Sequence, residues 1–355
     1  MEEEMNPAEQ HSATTVNLSR PVRCIVKLGG AAITCKNEFE KINEESLQTV
    51  SLQLRQAMTG GGSSRKFLGM DWSKRPGIFE APCVGDDTGD QLDLDSGSFG
   101  HFQASKSGVH KGGLNQPFVK AGFVATRISV TSLNHEIVRA LAREGIPTIG
   151  MSPFSCGWST CKRNIAFADV SMVAKAIGSG FVPVLHGDAV LDNSQDCTIL
   201  SGDVITRHLA AELKPEFVVF LVSTVHPEIS VREDGSWSVV KPALQDMNKQ
   251  GCSVSPKLHV HILILENKNL IRILSSTVEI TIAAHDTTGG MVTKISEAAM
   301  IAKLGIDVYI VKFRPLILKR WTEQAATDHS LRALSGNLKV DMPEDWLGTV
   351  VRFVR

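Results

Sequence analysis

With 355 residues, 43% of them hydrophobic and 21% charged, the chain is long enough for one large α/β domain or two modest ones around a sizeable core. A formal net charge of -1 at pH 7 offers no basic stripe to nucleic acid or to an anionic membrane surface, so small molecules are the expected partners. Seven cysteines, scattered and without CxxC pairing, indicate neither a disulfide framework nor a zinc site, and they suit a reducing, cytoplasmic setting.

Residues 1–19 are acidic and polar and read as a disordered tail rather than a signal or transit segment. No run reaches the roughly 18 consecutive apolar residues of a membrane span. The first element is an apolar strand, Cys24-Ile25-Val26, running through Lys27 and Leu28 into Gly29 and Gly30, with Lys36 beyond. Strand, glycine pair and flanking lysines suit a phosphate-binding turn, although a Gly-Gly pair also serves as an ordinary turn. Glu44–Met58 carries Leu47, Val50, Leu54 and Met58 on one helical face and is stopped by Gly60-Gly61-Gly62. Residues 60–96 shift to Gly, Ser, Asp, Lys and Pro and read as a surface insertion.

Gly97-Ser98-Phe99-Gly100-His101-Phe102 reads as a glycine-rich loop that points an imidazole at a ligand. Val119–Val130 leads into a helix over Ser132–Glu144 with Gly145 after it, and Ile146–Met151 is a short buried strand. A helix over Asp169–Ile177 precedes the strand Phe181–Leu185, which delivers His186, Gly187 and Asp188 at its carboxyl end, where open α/β sheets bind ligands. Asp203 opens the next helix, to Leu213, from its cap position. Glu216–Val222 is near-continuously apolar, as buried parallel strands are. A hairpin turn is expected at Glu233-Asp234-Gly235-Ser236, and 258–282 alternates like strands. His259 and His261 share a strand face there, an arrangement open to a metal but also ordinary for exposed histidines. Gly289-Gly290 feeds a helix over Lys294–Leu304, whose amino end and lysine both favour phosphate. Strands over Val308–Val311 and Thr349–Phe353 complete the chain.

Alternating strands and helices with several Gly-plus-Lys or Gly-plus-His loops predict a parallel α/β sheet that handles phosphates. No GxxxxGK[ST] loop and no GxGxxG after a strand is present, so the phosphate site must be assembled from distant loops. The segments KLGGAAIT, SFGHF, LHGDAV, ILSGD and DTTGGMVTKISEA resemble the amino-acid-kinase superfamily and, within it, the isopentenyl phosphate kinases. The pairing of SFGH with LHGD carries the resemblance to that branch. It implies a three-layer αβα sandwich with a mainly parallel central sheet, a homodimer, and transfer of the ATP γ-phosphoryl group to isopentenyl phosphate, with ATP and Mg2+, in isoprenoid biosynthesis by the alternative mevalonate route. Residues 20–355 would form the kinase domain. Within it, about 20–190 would be the acceptor lobe and about 191–355 the nucleotide lobe, the latter with insertions at 251–281 and 313–324.

By matching motif positions, the resemblance implies that Lys27, Leu28, Gly29, Gly30 and Ala31 hold ATP phosphates and that Lys36 stabilises the transition state. It implies that His101 hydrogen-bonds the acceptor phosphate, that Gly97 and Gly187 allow close backbone approach, and that Ser96 contacts the substrate. Asp203 would orient lysines, while Gly290 and Lys294 would serve the nucleotide. Phe99, Phe102, Phe123, Ile128 and Ile149 are candidates for an apolar pocket around the prenyl tail. The chain departs from the pattern in two places. The strand expected before Ser98 is replaced by Leu92-Asp93-Leu94-Asp95, and the Thr-Asp expected after Leu221 is replaced by Val222-Ser223. Both departures favour the alternative of a non-catalytic or impaired form; a same-fold kinase for another small phosphate is a further alternative, against which the apolar residues around His101 favour the prenyl substrate.

Overall fold

The structure, a computed structural model, describes residues 21–35, 40–59, 68, 70–75, 99–222, 228–231, 237–241, 290–312, 329–335 and 349–353. In chain order the elements are β1 (Cys24–Leu28), α1 (Gly30–Ile33), α2 (Glu44–Thr59), α3 (His101–Ser107), α4 (Pro117–Arg143), β2 (Thr148–Met151), β3 (Ser159–Cys161), β4 (Asn164–Phe167), α5 (Ser171–Gly178), β5 (Val182–Leu185), β6 (Asp188–Asp192) and β7 (Asp196–Leu200). The second half comprises α6 (Gly202–Leu213), β8 (Phe217–Val222), β9 (Glu228–Val231), β10 (Trp237–Lys241), α7 (Gly290–Lys303), β11 (Asp307–Lys312), α8 (His329–Leu334) and β12 (Thr349–Phe353).

The main sheet has the order β1-β8-β11-β12-β9-β10. β1/β8, β8/β11 and β12/β9 pair in parallel, whereas β11/β12 and β9/β10 are antiparallel. Two smaller sheets stand beside it, the parallel pair β2/β5 and the mixed sheet β4-β3-β6-β7. β8 organises the layers because its sequence, FVVFLV, is buried along its whole length. Side chains of a strand alternate between faces. Phe217, Val219 and Leu221 accordingly meet Leu47, Val50, Ile137 and Leu334 of α2, α4 and α8, whereas Val218, Phe220 and Val222 meet Ala210 of α6 and Ile295, Ala298 and Ile301 of α7. Helices on both faces of a largely parallel sheet give the expected three-layer αβα sandwich. A third core packs Trp158, Val173 and Leu209 around β6 and β7, and a fourth seats α3 and α4 on Ala189 and Cys197.

Several expectations change. Ser132–Glu144 is the second half of a single 27-residue helix, α4. Its buried stripe includes Thr126, Ser129 and Asn134, so hydrophobic period fades in the middle although the helix continues. His101 is the first residue of α3 rather than a loop residue. β2 is half-exposed rather than buried. The hairpin β3–β4 was not expected at all; β9 and β10 pair antiparallel, while the expected turn residues Glu233 to Ser236 between them lie outside the described residues. The tail 1–19, Lys36, Ser96, Gly97, His259, His261, the run 258–282, the segments 251–281 and 313–324, the region immediately before Ser98 and the residues just after Val222 lie outside the described residues, as does most of 60–96.

Candidate active site

The carboxyl ends of β1 and β8 lie side by side, with Lys27 opposite Phe220 and Leu28 opposite Leu221. Ile25, two residues before Lys27, packs into the core beneath α6 and α7. The two-residue period therefore sends Lys27 to the same face, at the rim where the apolar layer ends. Asp203 reaches this rim from the first turn of α6, where a carboxylate also suits the helix dipole. It is not the cap, because Ser201 occupies that position and its hydroxyl accepts a hydrogen bond from the Asp203 N–H. Lys294 arrives from α7, one turn after Gly290 opens that helix.

These three side chains form one charge cluster. Lys27 Nζ lies 2.6 Å from Asp203 Oδ1, and Lys294 Nζ donates to Oδ1 at 3.0 Å and to Oδ2 at 3.1 Å. Asp203 is 4% exposed and Lys294 8%, and the Phe220 ring underlies both ammonium groups at 6.0 and 5.6 Å. Burial opposes the charge on Asp203, but the two ammonium groups outweigh it and hold its carboxyl below the ordinary range. Burial and then the charge of Lys27 pull Lys294 down to about 8, against the opposing pull of Asp203. The cluster carries one net positive charge, backed by a low-dielectric layer, at the end of the strands where open sheets bind ligands.

Glycines let three backbone segments meet here. The Gly29 N–H donates to the Leu221 carbonyl at 2.8 Å and the Ala32 N–H to the Gly29 carbonyl at 2.9 Å, so Gly30 and Ala31 carry the opening N–H groups of α1 that these two bonds do not use. A Cβ at Gly29 would lie 2.8 Å from that carbonyl oxygen, and one at Gly187 would lie 3.2 Å from Leu200 O and 3.3 Å from Gly202 N. Gly202, which opens α6, is in turn 3.7 Å from Lys27 Cε by the same construction. The β5–β6 turn, the start of α6 and the end of β1 thus converge, which with the ion pair from α7 brings together Lys27, Leu28, Gly29, Gly30, Gly187, Asp203 and Lys294 of the expected set; Gly290 lies one turn before Lys294 on α7. His101 stands at the amino end of α3. Of the apolar candidates, Phe99, Phe102 and Phe123 are buried, Ile149 is half-buried, and Ile128 is 63% exposed on the outer face of α4.

Sequence reading did not single out Arg127, Ser129 or Ser152. Arg127 Nε donates to Asp188 Oδ1 at 3.3 Å and Nη2 to Ser152 Oγ at 3.0 Å, while Ser152 Oγ donates to Asp188 Oδ2 at 2.7 Å. An arginine in the stretch Val119–Val130, which leads into the helix expected from Ser132, was the available signal.

A sequence model described as the amino acid kinase family matches residues 96–225. The isopentenyl phosphate kinase of Arabidopsis thaliana is 59% identical over 360 residues, covering 94% of this chain and 97% of that protein. The chain belongs to the isopentenyl phosphate kinase family. The isopentenyl phosphate kinase of Methanothermobacter thermautotrophicus is a more distant relative, 27% identical over 81% of this chain and 90% of its own length. A solved isopentenyl phosphate kinase superposes with a TM-score of 0.55 at 22% identity, covering 92% of this chain and 99% of its own. That likeness establishes the amino-acid-kinase fold.

Proposed function

We propose that the chain transfers the γ-phosphoryl group of ATP to isopentenyl phosphate, giving isopentenyl diphosphate and ADP. The observation that carries this reading is the buried Lys27–Asp203–Lys294 cluster at the carboxyl ends of parallel strands, in a chain 59% identical to a protein bearing that kinase's name. The acceptor is a phosphate oxygen, already anionic and nucleophilic, so no general base is needed and the difficulty is to bring two anions together. The bond from the γ-phosphorus to the β–γ bridging oxygen breaks as the bond to the acceptor oxygen forms, and ADP departs with the released charge. Lys27 and Lys294 stabilise that charge, with Asp203 fixing both ammonium groups so that little reorganisation is required.

Lys36 completes the stabilisation of the transferring group. Gly30, Ala31 and Gly290 present helix-opening N–H groups to the nucleotide phosphates, with Leu28, Gly29 and Gly97 shaping the same cradle. His101, Ser96 and Gly187 receive the acceptor. About 20–190 then form the acceptor lobe, which also lends Lys27 to Ala31 to the ATP phosphates, and about 191–355 the nucleotide lobe. Among the described residues no group of three or more His, Cys, Asp or Glu side chains is placed to hold a metal, and both oxygens of Asp203 are engaged by lysines. With both Asp203 oxygens so engaged, Mg2+ enters as part of the MgATP substrate. The exposed apolar face of α4, with Phe118, Val124 and Ile128, suits a homodimer. The described cysteines, all free thiols, suit the cytoplasm. The intact lysine cluster weighs against a non-catalytic form.

Thermal unfolding with MgATP tests the nucleotide half of this reading. Ligand at about 100 times its Kd is expected to add roughly 2.7 kcal/mol of stability. A melting curve unmoved by MgATP would contradict any nucleotide-dependent activity.

A further inference from the structure

Resting on the reading just given, the geometry points to Arg127 and Ser129 of α4 as positioning residues that set the spacing between the two acceptor-side turns, the one entering His101 and the one carrying Gly187. The first turn is held by Ser129, which is 2% exposed and whose hydroxyl accepts the Gly100 N–H at 2.7 Å. Gly100 has φ +73°, and a Cβ there would fall 2.4 Å from Val130 Cγ1. The turn is therefore pressed against the helix, and His101 follows directly as the first residue of α3. The second turn is held by Arg127. Its guanidinium binds Asp188, the residue after Gly187, and also Ser152, and it lies 4.1 Å from the Phe154 ring. Asp188 is 1% exposed and accepts further hydrogen bonds from Ser152 Oγ at 2.7 Å and Phe154 N at 3.3 Å. The carboxylate is buried and multiply bonded, so its position is fixed rather than free to adapt.

One stretch of helix thus carries both anchors. Ala104 of α3 and Ala189 of β6 meet Val119 and Phe123 of α4 in a single apolar core, which keeps the two turns from moving independently. None of these contacts involves Lys27 or Lys294. The consequence is a division of labour: α4 fixes where the acceptor phosphate sits, and the cluster around Asp203 fixes the nucleotide. A displacement of about 1 Å in a reacting group can cost on the order of 10²-fold in rate, so loosening either anchor is expected to act on acceptor use specifically.

The test uses full-length Arg127→Lys and Ser129→Ala beside the wild type. Lysine retains the charge opposite Asp188 but cannot span Asp188 and Ser152 as the planar fork does. Ser129→Ala removes only a hydroxyl and is the gentler variant should Arg127→Lys fold poorly. For each, kcat and KM are measured separately for isopentenyl phosphate and MgATP, normalised to the cooperatively melting fraction. The expected result is a fall of about 10- to 100-fold in kcat/KM for isopentenyl phosphate, with KM for MgATP within about twofold of wild type. Constants that match wild type for both substrates, or a KM for MgATP that rises as much as the kcat/KM for isopentenyl phosphate falls, would overturn the positioning role and leave these side chains as structural only. A wild-type chain that neither turns over nor binds isopentenyl phosphate by calorimetry would instead remove the assigned function, and this proposal with it.

Discussion

Asp203→Asn is expected to destabilise the fold by about 3–5 kcal/mol, the cost of breaking a buried ion pair by removing one partner, and to lower kcat/KM for MgATP by about 10²-fold or more. The carboxylate is buried and touches both ammonium groups. Without its charge two lysines face each other over the Phe220 ring, and burial pulls Lys294 further toward its neutral form. In the wild type the Asp203 carboxyl lies below its ordinary value of 3.8. Its stabilising contribution is therefore fully present above that value and is lost as pH falls through the lowered folded one. Urea unfolding of wild type and variant at pH 7 measures the first effect, and the variant should lose the acid limb of the stability profile that Asp203 supplies. A stability change under about 0.5 kcal/mol, typical of surface substitutions, would show that the cluster is not a structural unit.

The second large effect concerns Lys294. Lys294→Met is expected to lower kcat/KM for MgATP by two to three orders of magnitude, the scale of removing one preorganised charge from a phosphoryl or oxyanion site. The pH profile separates this role from a structural one. With its ammonium pulled down to about 8, the wild type should lose kcat/KM for MgATP as pH rises above about 8, roughly tenfold per unit. kcat should hold to higher pH, because bound phosphates favour the charged form in the complex. The linked stability term has the opposite sign. Between about 8 and the ordinary 10.5 the unfolded chain binds the proton that the folded one has released, so this group makes the fold more stable as pH rises. An alkaline loss of activity is therefore not unfolding at this residue. Lys294→Arg, whose guanidinium stays charged above pH 12, is expected to abolish the alkaline fall. An Arg variant with the wild-type slope would assign that slope to another group.

How far the sequence led depended on which physical signal each part carries. β8 was legible because six consecutive apolar residues leave no other place for them than between two helical layers. Lys27, Asp203 and Lys294 were legible as candidates through their motifs, and they meet because α6 and α7 pack on the face of β1 and β8 that carries Ile25 and Phe220. α4 was read as two pieces because tertiary packing buries Thr126 and Ser129, residues that hydropathy counts as polar. The hairpin β3–β4 escaped notice because its turn residues, Lys162 and Arg163, adopt φ of 51° and 68°, a conformation usually signalled by Gly or Asn. Asp192, distant in sequence, accepts the Arg163 N–H at 3.1 Å and holds the turn in place. The Arg127–Asp188–Ser152 network was hidden for the same reason: its partners come from three segments, and no local pattern records that they converge.

The most direct test of the central claim is ADP release by the purified chain with MgATP and isopentenyl phosphate, run beside dimethylallyl phosphate, acetylglutamate and a blank without acceptor. Turnover confined to the prenyl phosphates is the predicted result. A soluble, cooperatively folded preparation that releases no ADP above the blank, or releases it only with acetylglutamate, would contradict the assignment.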